Sequence, residues 1–214
     1  MMNSLFLQEI RLNRQTVPDF EAYPFCISAI RNLHAIRLQK PITFLVGENG
    51  SGKSTIIEAL AVYFGLSAEG GSRNMVYETY NTTSPLSQYL KITRSGMQPK
   101  WKYFLRAESF YTMATAWEKY NYNSGRLHNV SHGESFMDIL SGLSGSGLYF
   151  MDEPESALSP TNQMRLLSLL HNHAQSGSQF IVATHSPIIL SYYDAEILDV
   201  DNNLTPIAYK DTNI

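Results

Sequence analysis

"PITFLVGENGSGKSTIIEALAVYF", Pro41–Phe64, changes character twice along its length. Pro41–Val46 is a continuous apolar run, the pattern of a strand buried on both faces. "GENGSGKS", Gly47–Ser54, then fits G-x-x-x-x-G-K-[ST]. "STIIEALAVYF" follows with helical spacing and stops at Gly65, a suitable C-terminal cap. A buried strand entering and a helix leaving is the context in which this pattern holds a phosphate chain. Gly47, Gly50 and Gly52, with Asn49 and Ser51 between them, allow backbone N–H groups to turn inward around an anion. The helix N-terminus adds its dipole. Lys53 can reach the β- and γ-phosphates, and the Ser54 hydroxyl, with Thr55 beside it, suits Mg²⁺.

The rest of the chain repeats the alternation of strand and helix. "LYFM", Leu148–Met151, and "QFIVAT", Gln179–Thr184, read as two further buried strands. Between them "SPTNQMRLLSLLHNHAQSG" reads as a helix with Ser159 as N-cap, Pro160 in the first turn and Gly177 at the end. "SLFLQEIRL" and "AIRLQ" read as strands with a loop between them, and "AEILDV" and "PIAYK" as a terminal hairpin. The alternation predicts an α/β fold with a mainly parallel central sheet flanked by helices and an N-terminal antiparallel β portion. Residues 66–88, rich in Gly, Ser, Asn and Thr, read as loop.

The bulk properties bound the function. The 214 residues suffice for one α/β domain, and the net charge of −3 does not mark the whole molecule as a polyanion binder. Cys26 is the single cysteine, so no internal disulfide forms. No apolar run approaches the ~20 residues of a membrane span or the core of a signal peptide, which leads us to expect a cytoplasmic protein. Charge is uneven: residues 91–126 hold seven Lys or Arg against two Glu, and residues 151–214 hold eight acids against two bases.

Two short stretches place chemistry near the phosphate loop. "MDEPE" sets Asp152 and Glu153 at the end of a buried strand. In phosphate-loop enzymes an acid there holds Mg²⁺, and a second carboxylate can orient and deprotonate the attacking water. "ATHSP" puts His185 at the same sheet edge, where it can donate to a γ-phosphate. His171 and His173 lie two apart on a helix and face different ways, so they do not form a metal pair.

"SHGES", Ser131–Ser135, lies between the phosphate loop and these acids. With it, the set resembles the ABC-type ATPases, whose signature at this place reads L-S-G-G-Q. Ser131, His132, Gly133 and Glu134 fall on that pattern, with His132 for a glycine and Glu134 for the glutamine. The resemblance implies that Ser131, Gly133 and Glu134 contact the γ-phosphate held by the other subunit of an ATP-dependent homodimer. It implies that "SALSP", Ser156–Pro160, is a dimer-contact loop and His185 the switch histidine. The family's glutamine after the next strand is matched by Glu108 in "YFLRAESFY", a departure that leaves a carboxylate to meet Mg²⁺ or the water. "GENGSGKST", "FLRAESFY", "SHGES", "MDEPE", "ALSP" and "ATHSP" together resemble the small, single-domain, soluble bacterial predicted ATPases (AAA/ABC ATPase domain proteins), from about residue 20 to 195.

The expectation is a single ABC-type ATPase domain over residues 1–214, with an N-terminal β portion over 1–40 and a reduced helical lobe carrying the signature over 89–145. Only 22 residues separate Glu108 from Ser131, too few for the lobe of a transporter ATPase, and no heptad run marks a coiled coil. Ligands are ATP and Mg²⁺, with Ser54 and Asp152 at the metal and Glu153, His185 and Glu108 in catalysis. An unidentified protein partner receives the output. The alternative is a nucleotide-gated binding module with negligible turnover. "KITRSGMQPKWKYFLR" interleaves bases with aromatics, which suits weak nucleic-acid binding, but a strand pair with a solvated basic face and an aromatic core side is favoured, with Phe110, Tyr111 and Trp117 read as core. Tyr23 or Phe25, upstream of the loop, could stack on an adenine or simply pack.

Overall fold

The computed structural model describes residues 5–72, 84–106, 137, 141 and 145–212. Its strands form two sheets. A seven-stranded sheet runs in the order β10-β9-β3-β8-β7-β6-β4, and a three-stranded sheet in the order β2-β1-β5. In the large sheet, β3 (Ile42–Val46), β6 (Trp101–Arg106), β7 (Gly147–Asp152), β8 (Gln179–Ala183) and β9 (Glu196–Asp199) are parallel to their neighbours in that set. Only its edges are antiparallel: β4 (Gly71–Ser72) on β6, and β10 (Thr205–Ile207) on β9. The small sheet is antiparallel throughout and joins β1 (Leu7–Leu12), β2 (Ile36–Arg37) and β5 (Leu90–Arg94).

The continuous apolar runs are explained by two cores, one on each face of the large sheet. Side chains alternate along a strand. In β7, Leu148 and Phe150 enter the core shared with α2 (Lys53–Tyr63) and the small sheet. Tyr149 and Met151 enter the core shared with α3 (Pro160–Gln175) and α4 (Pro187–Leu190). β3 divides in the same way, with Leu45 on the first face and Ile42, Phe44 and Val46 on the second. The short helix α1 (Ser28–Arg31) adds Ala29 and Ile30 to the first core.

Helix ends follow the sequence. Ser159 accepts from the Asn162 N–H at the start of α3, Pro160 occupies the first turn, and Gly177 takes φ +87° after the end. α2 ends before Gly65, at φ +81°. Buried side-chain amides find partners, as burial demands. Gln179 of β8 accepts from the Leu7 N–H at 2.9 Å and donates to the Leu7 carbonyl at 2.8 Å, so one side chain serves β1 as a substitute strand partner and ties the sheets together.

Residues 91–106 depart from a simple strand pair. β5 and β6 are consecutive in the chain but enter different sheets, β5 against β1 and β6 against β7. The physical reason is burial. Tyr103, Phe104 and Leu105 are buried, so β6 belongs in the middle of the molecule, whereas Lys91, Thr93 and Arg94 of β5 are exposed. Phe110, Tyr111 and Trp117 lie outside the described residues. No helix among the described residues is long and apolar enough to cross a membrane.

Candidate functional site

Strands β3, β8 and β7 are adjacent and parallel, so the loops that leave them emerge at one carboxyl edge, where open α/β sheets bind ligands. The first is Gly47–Gly52. Gly52 takes φ +105° as the N-cap of α2, and a Cβ there would lie 2.9 Å from Ile27 Cγ2. Gly47 takes φ +152°, with a hypothetical Cβ 2.9 Å from Asp201 Oδ2. At both positions a side chain would be strained by the backbone conformation and would press on a neighbouring side chain. Tyr23, Ile27, Asn49, Gly50, Lys53, Ser54, Thr55 and Glu153 line an open cleft around this turn.

Lys53 is buried, and its Nζ donates to the carbonyls of Gly47 at 2.7 Å and Glu48 at 2.8 Å. The ammonium therefore latches onto its own loop until a stronger acceptor arrives. Burial holds its pKa below the usual lysine range, countered by the charges of Glu153, Asp201, Asp152 and Glu155. A phosphate chain would favour the charged form. At alkaline pH, between the depressed and the phosphate-raised pKa, ATP binding is expected to take up a fraction of a proton, and below both values to take up none. Calorimetry in buffers of different ionisation heat measures this. Lys53→Arg, whose side chain stays protonated, should abolish the uptake.

Ser54 Oγ donates to Asp152 Oδ1 at 3.0 Å, across 98 residues of sequence. A hydroxyl and a buried carboxylate in contact beside a phosphate loop are the all-oxygen donor set that suits Mg²⁺. Among the described residues no three His, Cys, Asp or Glu side chains cluster to hold a metal on their own. An ion held there would need phosphate oxygens or water to complete its shell. Ser51 Oγ and His185 Nε2 are buried atoms without a hydrogen-bond partner among the described residues. Both lie on this sheet edge and fit a ligand that brings oxygen acceptors.

Glu153 follows β7 with φ +48°, a left-handed conformation that costs a non-glycine residue roughly 1–2 kcal/mol. Its N–H donates to the Ala183 carbonyl at 3.0 Å, which fixes the strained turn to β8. Strain held in this way is a pointer to function. Glu153 Oε1 lies 3.8 Å from His185 Nε2; both side chains are partly exposed, and Glu153 lines the cleft.

The structure thus brings together Lys53, Ser54, Thr55, Asp152, Glu153 and His185 with the glycine loop. Of the two upstream aromatics it separates the roles. Phe25 is buried and packs edge-on against Tyr89 with centroids 5.0 Å apart. Tyr23 is 61% exposed, lines the cleft and lies 3.3 Å from Thr55 Oγ1 through its hydroxyl. Glu108, Ser131, Gly133 and Glu134 lie outside the described residues. His171 and His173 do not meet on one ligand: His171 Nδ1 pairs with the Tyr192 hydroxyl at 3.0 Å, and His173 lies against Tyr149 and Phe180. Sequence reading missed Asp201, whose carboxylate accepts from the Glu48 N–H at 2.6 Å and braces the start of the loop. Nothing in the local sequence marks it, since the contact spans 153 residues.

Two family models match parts of the chain. One, "AAA domain", covers residues 23–112, and the other, "AAA domain, putative AbiEii toxin, Type IV TA system", covers residues 136–191. No curated protein matches the chain. Among solved structures, the SMC head domain from Thermotoga maritima is similar at 19% identity and TM-score 0.51, covering 95% of this chain and 100% of that one. A "putative metal-chelate type ABC transporter" in an inward-facing conformation is similar at 17% identity and TM-score 0.51, covering 97% of this chain and 85% of that one. Sheet order, phosphate loop, strand-end acids and these likenesses agree on the fold: the chain folds as a P-loop domain similar to those of the ABC-type ATPases.

Proposed function

We propose that the chain binds ATP with Mg²⁺ and hydrolyses it at a site shared between two copies, and that this cycle drives a protein partner. The observation that carries the proposal is the Ser54–Asp152 contact at 3.0 Å, set between the phosphate loop and the Glu153–His185 pair. Mg²⁺, held by Ser54 and Asp152, supplies neutralisation of the phosphate charge. The loop amides and Lys53 hold the β- and γ-phosphates. Glu153 takes a proton from the attacking water as its oxygen bonds to the γ-phosphorus. The bond from phosphorus to the leaving oxygen of ADP then breaks, and His185 donates to the γ-phosphate. Tyr23, exposed beside the cleft, is proposed to stack on the base. Tyr23→Ala should weaken ATP binding by ~1–3 kcal/mol, the range of base–aromatic stacking, and Phe25→Ala should chiefly lower the melting temperature. Calorimetry and thermal melts on both variants check the distinction.

Ser131, Gly133 and Glu134 are proposed to complete the partner copy's site, and Glu108 to meet the metal or the water. The shared site is tested by mixing two inactive proteins, Ser131→Arg and Lys53→Ala. A mixed dimer has one site with both lesions and one with neither, so ATP-dependent pairing should return on mixing, with hydrolysis if the sites fire independently. Pairing no better than in the separate variants removes the shared-site reading. The ATPase reading itself is tested by steady-state hydrolysis with and without Mg²⁺. Turnover at the buffer rate leaves only a nucleotide-gated binding module.

A further inference from the structure

Glu155 takes no part in the chemistry above, yet its carboxylate is fully engaged. One oxygen accepts from the His185 backbone N–H at 2.5 Å and the other from Thr184 Oγ1 at 2.8 Å. Glu155 lies in the 3₁₀ turn Pro154–Ala157 after β7, and Thr184 and His185 are the first two residues after β8. The carboxylate therefore ties the loop that carries Glu153 to the loop that carries His185. The network continues inward. Thr184 is fully buried and its Oγ1 accepts from the Ser186 N–H at 3.0 Å. Ser186 Oγ donates to Gln163 Oε1 at 2.6 Å, and Gln163 Nε2 donates to the Leu158 carbonyl at 3.1 Å. Leu158 stands in the same loop as Glu155, so the path closes on "SALSP", the segment expected to face a second copy.

We propose that Glu155 is the positioning residue that holds His185 beside Glu153, and that the closed network Glu155–Thr184–Ser186–Gln163–Leu158 fixes the His185 loop relative to "SALSP". The chemical argument is that the His185 amide sits at a strand end, where it has lost its ladder partner. A carboxylate spanning that amide and the hydroxyl of the preceding Thr184 leaves the loop a single arrangement. Charge-assisted bonds of this kind are roughly twice as strong as neutral ones. His185 Nε2, buried and without a hydrogen bond, is then held beside Glu153, ready for an acceptor. The proposal rests on the reading of His185 as the γ-phosphate contact, but the placement of the ring is measurable without it.

The test uses the full chain with Glu155→Ala and Glu155→Gln, alone and combined with His185→Ala. Glu155→Ala is expected to lower kcat about 10- to 100-fold, the cost of misplacing a catalytic group by about an ångström. KM for ATP should change less than about twofold, because no phosphate-loop residue bonds to Glu155. Glu155→Gln, which keeps an acceptor for the His185 N–H, should recover part of the rate. Adding Glu155→Ala to His185→Ala should lower the rate no further, whereas a general structural role would add its own loss. Ring spectra of the protein with ¹⁵N-labelled histidines give the second readout. Of the six histidines, only His185 should shift in Glu155→Ala and return towards its wild-type position in Glu155→Gln. An additive double variant, or an unshifted His185 ring, overturns the proposal. If the wild-type chain shows no turnover, the ATPase reading fails while the ring spectra still decide the role of Glu155. If Glu155→Ala does not fold, Glu155→Asp, which withdraws the carboxylate by one methylene, takes its place.

Discussion

Glu153→Gln is expected to lower the steady-state ATPase rate by ~10²–10⁴, the usual loss on removing a general base, with ATP affinity little changed. The amide is isosteric, so the φ of +48° and the N–H to Ala183 bond survive. The side chain is partly exposed, so the fold loses little, and the melting temperature should stay within about 2 °C. What goes is the ability to take a proton beside His185 at 3.8 Å. The variant is therefore expected to accumulate as an ATP-bound dimer, read by light scattering with and without ATP. Hydrolysis at the wild-type rate would place the base elsewhere. Asp152→Asn should behave differently. It alters the acceptor of the Ser54 hydroxyl and the negative charge offered to Mg²⁺, so metal dependence of binding should shift before the chemical step does.

Lys53→Ala is expected to weaken ATP binding by about 100-fold, measured by titration calorimetry with Mg²⁺ present. Two charge-assisted bonds to phosphate, at ~1.5–3 kcal/mol each, would alone argue for more. The structure shows why the net figure is smaller. Before ATP arrives, Nζ already donates to the Gly47 and Glu48 carbonyls, so binding exchanges two bonds for two stronger ones rather than creating them. Removing the side chain also relieves the burial that holds its pKa down. The variant should therefore fold normally, and equal affinity in both proteins would sink the assignment of Lys53 to the phosphates.

Much of the architecture could be read in the sequence because its signals are local. The strand–loop–helix of Pro41–Phe64 carries its own proof, since apolar run, glycine spacing and helical period all meet within one short segment. The same holds for the capped helix Pro160–Gln175 and for the terminal hairpin of "AEILDV" and "PIAYK", whose strands pair antiparallel. Strand-end acids and His185 could be placed at one edge because parallel strands of a doubly covered sheet present all their carboxyl ends to one side.

Tertiary structure alone decided which strands became neighbours and which side chains met. β5 and β6 carry similar mixed patterns in sequence, yet they divide between two sheets, because only β6 has three successive buried residues to place between two cores. Tyr23 and Phe25 are two residues apart and equally aromatic. Packing against Tyr89 claims one and leaves the other on the cleft. Glu155 and Asp201 look like ordinary loop acids in the sequence, but folding sets each against a strand-end or loop amide, 30 and 153 residues away in the chain. Those amides lie beyond the strand ladders, and in each case a side chain distant in sequence supplies the acceptor. The sequence therefore determined the phosphate loop and the strand-end residues on which the proposed chemistry rests, since these depend on residue type and spacing. The tertiary fold decided how that chemistry is braced, which depends on distances that no local pattern records.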